Sequence, residues 1–252
     1  MDLKLTGKNV LVTGGAAGIG AGICKVFAAE GANVVVNYRS HQAEAEAFAQ
    51  GLRETYGVDA LAIQADITAP EATEKLFTQA LAHFGILDVL VNNAAGGICF
   101  KPFQEYTEED WHLAQAGICD HVFRMSRLFL RACLETGREG RIINILSKSA
   151  ILSSSIHNLT YVTNKGALLA LTRGMAKEFV SQGVYVNGIV PGYVRTRAHA
   201  QGTERTERVK GLLPLRRFAE PEEIGNVAAI LASPLFIQMV GAIVDCTGGT
   251  LI

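Results

Sequence analysis

The sequence has almost no charge of either sign to spare. Its 23 lysines and arginines stand against 24 aspartates and glutamates, a formal net charge of -1 over 252 residues. That balance offers no electrostatic case for binding nucleic acid or an anionic membrane surface. No stretch approaches the roughly 18 apolar residues that a bilayer-spanning helix needs. The opening MDLKLTGKNVLVTGG has neither the charged and apolar regions of a leader nor its small-residue cleavage site, so the expected location is cytoplasmic. Cysteines are few and carry no pairing pattern. Cys24, Cys99, Cys119, Cys133 and Cys246 are odd in number, scattered and free of any CxxC, which excludes a disulfide framework and offers no zinc or redox pair. No linker, repeat or low-complexity tract interrupts the chain, so a single domain over residues 1–252 is expected, without a metal site.

What the chain does have is alternation. Short β-branched runs at Asn9–Val12, Asn33–Val36, Leu61–Ile63, Leu87–Val91, Arg141–Ile145, Val184–Asn187 and Ala242–Val244 are separated by helix-like stretches over about 19–30, 43–56, 71–84, 108–135, 161–181 and 221–231. Strands apolar on both faces and separated by helices make a parallel sheet covered on both sides. The right-handed crossover rule winds it into a doubly wound, Rossmann-like α/β fold. Ligands in such sheets bind at the carboxyl ends of the strands, so the residues just after each apolar run are the chemical candidates.

After the first run stands Thr13-Gly14-Gly15-Ala16-Ala17-Gly18-Ile19-Gly20. It is not the GxGxxG fingerprint, because a start at Gly18 would need a third glycine at position 23, where Ile23 sits. The spacing is TGxxxGxG. Between a strand and a helix, its backbone N–H groups and the helix dipole can hold a pyrophosphate; a ligand-free glycine turn is the bland alternative. After the second run come Asn37, Tyr38 and Arg39, with no acid to take a ribose 2′-hydroxyl. Arg39 suits a 2′-phosphate, which favours NADP(H) and leaves NAD(H) possible, the alternative being a solvated surface charge. Tyr161 and Lys165, four residues apart, share one helix face. An ammonium beside a phenol lowers its pKa toward the range of a general acid/base. Ser147, at the end of the fifth run, can hydrogen-bond a substrate carbonyl or hydroxyl.

In this order the residues resemble the short-chain dehydrogenase/reductase family in its compact form, along essentially the whole chain. The resemblance is carried by the glycine loop, Asp66-Ile67, Asn92-Asn93-Ala94-Ala95-Gly96, Ser147 with Tyr161 and Lys165, and Pro191-Gly192-Tyr193-Val194-Arg195-Thr196. It implies that Tyr161 is the catalytic acid/base, that Lys165 lowers its pKa and holds the nicotinamide ribose, and that Ser147 orients the substrate. It implies that Gly14, Gly18, Ile19 and Gly20 hold the phosphates beside Tyr38 and Arg39, and that Asp66 and Ile67 flank the adenine. Asn92, Ala94 and Gly96 would line the cofactor, and Pro191, Gly192, Val194 and Thr196 would lie along the nicotinamide. It also implies hydride transfer between NADP(H) and a secondary alcohol/ketone substrate, and a homotetramer.

Within the family the sequence is similar to 3-oxoacyl-ACP reductases and glucose-dehydrogenase-like members. A 3-oxoacyl thioester reductase is the alternative reading, although Glu139 and Gln182 stand where those enzymes place basic docking residues. The enoyl reductases put six residues between tyrosine and lysine, and Asn158 occupies that position. A catalytically weak NADP-binding sensor is the reading from another class, encouraged by Ile118.

Three departures from the family pattern surround the substrate site. Counting from Trp111, the active-site asparagine falls at Ile118, which is expected to lose the side-chain contacts that hold a local helix distortion and to reduce or alter activity. The serine-to-tyrosine interval is one residue longer than the usual thirteen, which puts Lys148 at the nominal serine position and leaves Ser149 as a fallback for Ser147. NNAAG carries an extra alanine. Beyond them, the expected lid at about 193–217 sets Arg195, Arg197, Arg205, Arg208, Lys210, Arg216 and Arg217 against Glu204 and Glu207. That excess suits an anionic substrate, or a solvated surface that does nothing special.

Overall fold

The computed structural model describes residues 1–152, 156–196 and 203–251, with Arg205 described in its backbone alone. Seven parallel strands, β1 (Asn9–Val12), β2 (Asn33–Tyr38), β3 (Ala60–Gln64), β4 (Val89–Asn92), β5 (Gly140–Ile145), β6 (Val184–Pro191) and β7 (Ile243–Cys246), lie in the order β3-β2-β1-β4-β5-β6-β7. The order reverses between β1 and β4, and the carboxyl ends of those two strands open the crevice where a doubly wound sheet binds ligand.

Alternate strand residues feed two cores, as the pleat requires. Val10, Val12, Val34 and Val36 pack under α1 (Gly18–Ala29), α2 (Gln42–Tyr56) and α8 (Pro221–Ala232), whereas Leu11, Val35, Leu90 and Ile142 pack under α3 (Pro70–Phe84), α5 (His121–Thr136) and α6 (Leu159–Phe179). Local chemistry sets the helix ends. Proline at the first position opens α3, and Gly85 closes it with a φ of 72°. A reciprocal Thr107–Asp110 capping box opens α4 (Glu108–Gln115). Where α1 meets α8, a Cβ on Gly22 would lie 2.3 Å from the Pro221 backbone, so the two helices pack at glycine distance.

Two segments differ from the sequence reading. The stretch expected as one helix over 108–135 is broken by a wide π-helical turn, Ala116–Asp120, between α4 and α5. The distortion that Ile118 was expected to weaken is therefore present. Contacts with the loop after β4 hold it: the Gly96 N–H donates to the Gly117 carbonyl at 2.9 Å, and a Cβ on Gly117 would lie 2.5 Å from the Gly96 oxygen. Within the expected lid, α7 (Glu204–Leu212) forms although its polar composition shows no apolar period. Reciprocal side-chain caps between Thr203 and Thr206 start it. Arg197 and the rest of 197–202 lie outside the described residues, as does the Arg205 side chain. Among the described residues no helix is long and apolar enough to cross a membrane.

Candidate active site

The loop between β1 and α1 is shaped by struts from its neighbours. The Gly14 N–H donates to Asn37 Oδ1 at 3.0 Å and the Gly15 N–H to the Asn37 carbonyl at 2.8 Å, while Asn93 Nδ2 donates to the carbonyls of Thr13 at 2.9 Å and Gly14 at 3.2 Å. Thr13 Oγ1 in turn accepts from the Asn93 and Ala94 N–H groups at 3.0 and 3.1 Å. Gly14 and Gly18 have φ of 62° and 52°, the left-handed region that glycine enters without strain. A Cβ on Gly20 would sit 2.2 Å from the Gly14 oxygen, so the close turn requires glycine there. Gly14 of this loop lines a cleft with Arg39, Asp66, Ile67, Ala94 and Gly96. Backbone donors, a guanidinium and an open path for a long anion fit a dinucleotide phosphate.

Strand alternation separates the three residues after the second apolar run. Asn37 and Arg39 reach the cleft, whereas Tyr38 turns to a groove on the other face with Gln42, Lys75 and His83. The structure thus does not bring Tyr38 to the cleft. Nor does it bring Asn92, whose Nδ2 donates inside the core to Asn144 Oδ1 at 2.9 Å and Ser126 Oγ at 3.2 Å. Asn93, its neighbour, is the one that faces the cleft. Asp66 does not cap α3, which starts from Ala69; its carboxylate accepts from the Thr68 amide at 3.0 Å and hydroxyl at 2.8 Å. Burial acts to raise that carboxyl, but the Thr68 bonds and the Arg39 charge outweigh it and hold it below its ordinary value.

At the end of β5, Ser147, Tyr161 and Lys165 converge. The Ser147 hydroxyl hydrogen-bonds the Tyr161 phenol and accepts from the Ser149 N–H at 3.2 Å. Ser149 is buried and turned inward, so Ser147 is the serine that meets the tyrosine. Lys165 donates to the Ile145 carbonyl at 2.6 Å, and its Nζ lies 5.9 Å from the Tyr161 ring centroid. The electrostatics correct the expectation that Lys165 lowers the tyrosine. Burial raises the Tyr161 phenol above its ordinary value and only the Ser147 hydrogen bond opposes it. Burial also pushes Lys165 down, to about 8, because no carboxylate approaches it among the described residues.

Part of the basic excess of the lid is answered by acids, two of them, Glu220 and Glu223, just beyond the stretch in which it was counted. Arg195 pairs with Glu220, Arg217 with Glu223 at 2.7 Å, and Lys210 with Glu207 at 2.6 Å, while Arg216 donates to the Gly211 carbonyl. Lys148 follows Ser147 in the chain, its Nζ 4.4 Å from the Tyr193 ring centroid, and Tyr193 stacks on Phe218. Of the other expected cofactor residues, Gly192 packs against the Thr247 backbone, Val194 is buried in a bridge to Ala219, and the Thr196 methyl lies over Gly18. Pro191 ends β6 beside Cys246, and Ile19 packs half-buried in the first turn of α1.

Asn37 and Asn93 were named in the sequence only among the cofactor candidates; their role as struts of the glycine loop was missed. Their signal was an amide at the end of a buried strand, a side chain able to donate to one loop and accept from another.

The comparisons agree with this geometry. A family model described as enoyl-(acyl carrier protein) reductase matches residues 14–250. A hydroxynaphthalene reductase-like protein, Arp2, from Metarhizium robertsii is 36% identical over 267 residues, covering 98% of this chain and 96% of its own. Glucose 1-dehydrogenase 2 of Bacillus subtilis is 32% identical over 252 residues, covering 99% and 96%. Among solved structures, L-sorbose reductase from Gluconobacter frateurii, complexed with NADPH and L-sorbose, superposes with a TM-score of 0.93 at 28% identity, covering 100% and 99%.

Proposed function

The chain belongs to the short-chain dehydrogenase/reductase family, and from that premise we propose that it is an NADP(H)-preferring reductase or dehydrogenase of a secondary alcohol/ketone pair. The observation that carries this is the meeting of Ser147, Tyr161 and Lys165 at the end of β5, at the same carboxyl edge of the parallel sheet as the glycine loop and Arg39. NADPH, when bound, supplies the hydride that the carbonyl carbon takes up. Tyr161 gives its proton to the carbonyl oxygen, Ser147 donates a hydrogen bond to the same oxygen, and Lys165 holds the nicotinamide ribose. The reverse transfers oxidise the alcohol. Arg39 takes the 2′-phosphate, in keeping with the NADPH held by the sorbose reductase.

Sugars, polyols and polar aromatic ketones are the substrate class, on the likeness to a sorbose reductase, a glucose dehydrogenase and a hydroxynaphthalene reductase-like protein. An anionic substituent would meet Lys148, next to Ser147 in the chain. The segment over 193–217 closes the substrate side of the one domain. Free cysteines suit a reducing compartment, and we place the enzyme in the cytoplasm. The exposed Trp111, Leu113 and Phe123 around α4 and α5 and the open edge of β7 are the surfaces on which a homotetramer would form.

Oxidation of NADPH and of NADH against L-sorbose, glucose-derived ketones, naphthol-type ketones and 3-oxoacyl thioesters tests the reading. Turnover of a ketone with NADPH is expected, falling roughly 10²- to 10⁴-fold in Tyr161→Phe. Arg39→Ala is expected to weaken NADPH by roughly tenfold or more while sparing NADH. Tight NADPH binding with no turnover of any ketone would instead support a sensor.

A further inference from the structure

His121 opens α5 directly after the π-helical turn and is completely buried. Neither ring nitrogen has a hydrogen-bond partner among the described residues. The carbonyls of Ala94, in the loop after β4, and of Ala116, in the π-helical turn, face the ring without completing a bond. A leucine would fill that space without desolvating two nitrogens, so a purely packing role leaves the imidazole unexplained.

The charged and titratable groups that act on His121 or Lys165 are few. They are Lys165 on α6, Arg124 on α5 and the Cys119 thiol of the turn. Arg124 is engaged by Asp120 at 3.6 Å. Lys165 has three N–H donors, one of which goes to the Ile145 carbonyl. A neutral imidazole has one N–H and one lone pair. If the N–H is taken by the Ala94 or Ala116 carbonyl, the lone pair is left for a donor, and the buried donor in short supply of acceptors is Lys165.

We propose that His121 is a positioning residue for Lys165: wedged between the loop after β4 and the π-helical turn, its ring offers an acceptor to the ammonium through one water. It thereby ties the cofactor-lining loop to the lysine from the side where Ile118 supplies no polar group. Burial, then the charge of Lys165, pushes the imidazole down to about 3, which keeps the ring an acceptor at every pH at which the enzyme works. The proposal rests on the assignment of Tyr161 and Lys165 under the proposed function.

The test compares His121→Leu and His121→Asn with the parent enzyme, using NADPH and the ketone turned over fastest. Without the acceptor the ammonium is less stabilised, so the basic limb of the kcat profile of His121→Leu should move down by about one pH unit. kcat should fall about tenfold, while NADPH affinity stays within twofold. Asparagine, which also offers an acceptor, should restore the limb. A His121→Leu profile superimposed on that of the parent overturns the proposal. Should that variant not fold, nitrogen NMR of the histidines decides: the His121 ring signals should step as Lys165 titrates near 8 and lose the step in Lys165→Met, and signals indifferent to that substitution overturn it equally. The NMR arm needs no turnover, so an active Tyr161→Phe would sink the reaction assigned above while His121 is still judged.

Discussion

At the amino end of the sheet, a buried carboxylate is surrounded by partners. Asp88, with its side chain 9% exposed, accepts from Lys8 at 3.0 Å and from the Asn9 N–H at 2.9 Å and faces Arg138 at 3.7 Å. At the carboxyl end the buried charge is Lys165, 3% exposed, with a single carbonyl and no carboxylate among the described residues, and at the same end neither His121 nitrogen nor the Asn92 oxygen has a partner among them. One end satisfies its charge and the other leaves buried polar atoms without partners among the described residues. The comparison teaches where stability and function are divided: groups held in an unfavourable state cluster where the reaction is proposed.

The largest effect that would break this division is expected at Lys165. Lys165→Met removes the ammonium that holds the ribose, and activity should fall by roughly 10²- to 10⁴-fold. Stability should move the other way. The lysine titrates at about 8 in the folded chain against 10.5 unfolded, so the unfolded state holds more protons between those values and stability rises with pH across that window. Below about pH 8 the buried charge opposes folding, and its replacement by methionine should stabilise by about 1–3 kcal/mol. Urea unfolding at pH 7 beside an activity assay reads both signs. A variant that is both inactive and less stable would make Lys165 a structural charge like Asp88.

His121 sharpens the same contrast in acid. Its folded value of about 3 lies below 6.5, so from pH 6.5 downward the unfolded chain takes a proton that the folded chain refuses. Stability should therefore be lost as pH falls through that window, by up to about 1.4 kcal/mol per pH unit from this residue. Denaturant unfolding at pH 6.5, 6.0 and 5.5 should show this slope in the parent and lose it in His121→Asn. An equal slope in both proteins would place the imidazole in contact with water.

These effects turn on groups whose environment the sequence displays unevenly. The strands were legible because parallel strands covered on both faces are continuous β-branched runs, and the chemical residues because they sit at fixed spacings after those runs. Which side each residue faces was not. Tyr38 and Arg39 look equivalent in the sequence, yet the pleat sends them to opposite faces; Asn92 and Asn93 are likewise adjacent, one in the core and one in the cleft. Neither the π-helical turn, a distortion expected only through the family resemblance, nor α7 follows an apolar period: the first is held by Gly96 and Gly117 and the second by paired threonine caps. The lid's charge is smaller than its own stretch displays, since Glu220 and Glu223 offset part of it from the start of α8. The direction of Tyr161 was not legible because burial, invisible in a four-residue spacing, outweighs the one lowering contact, that of Ser147.

The smallest expected effect lies at the amino end and bears on whether the two ends are independent. Asp88→Asn keeps an oxygen for the Asn9 N–H but removes the charge that Lys8 and Arg138 share. Those cations are 41% and 49% exposed, so water screens much of the attraction, and the expected loss is about 1 kcal/mol rather than the several that a dry ion pair would imply. In a chain of this length that corresponds to a Tm lower by roughly 2–4 °C, shrinking in high salt as exposed attraction is screened. Turnover should stay within twofold of the parent, because no strand register or helix position at the carboxyl end depends on the Asp88 charge. The measurement is a thermal melt at low and high salt beside a kcat/KM determination with NADPH. A Tm drop accompanied by a shifted basic limb in the pH profile would mean that the charge under the sheet reaches Lys165 through β4 and β5, and the division between the two ends would have to be abandoned.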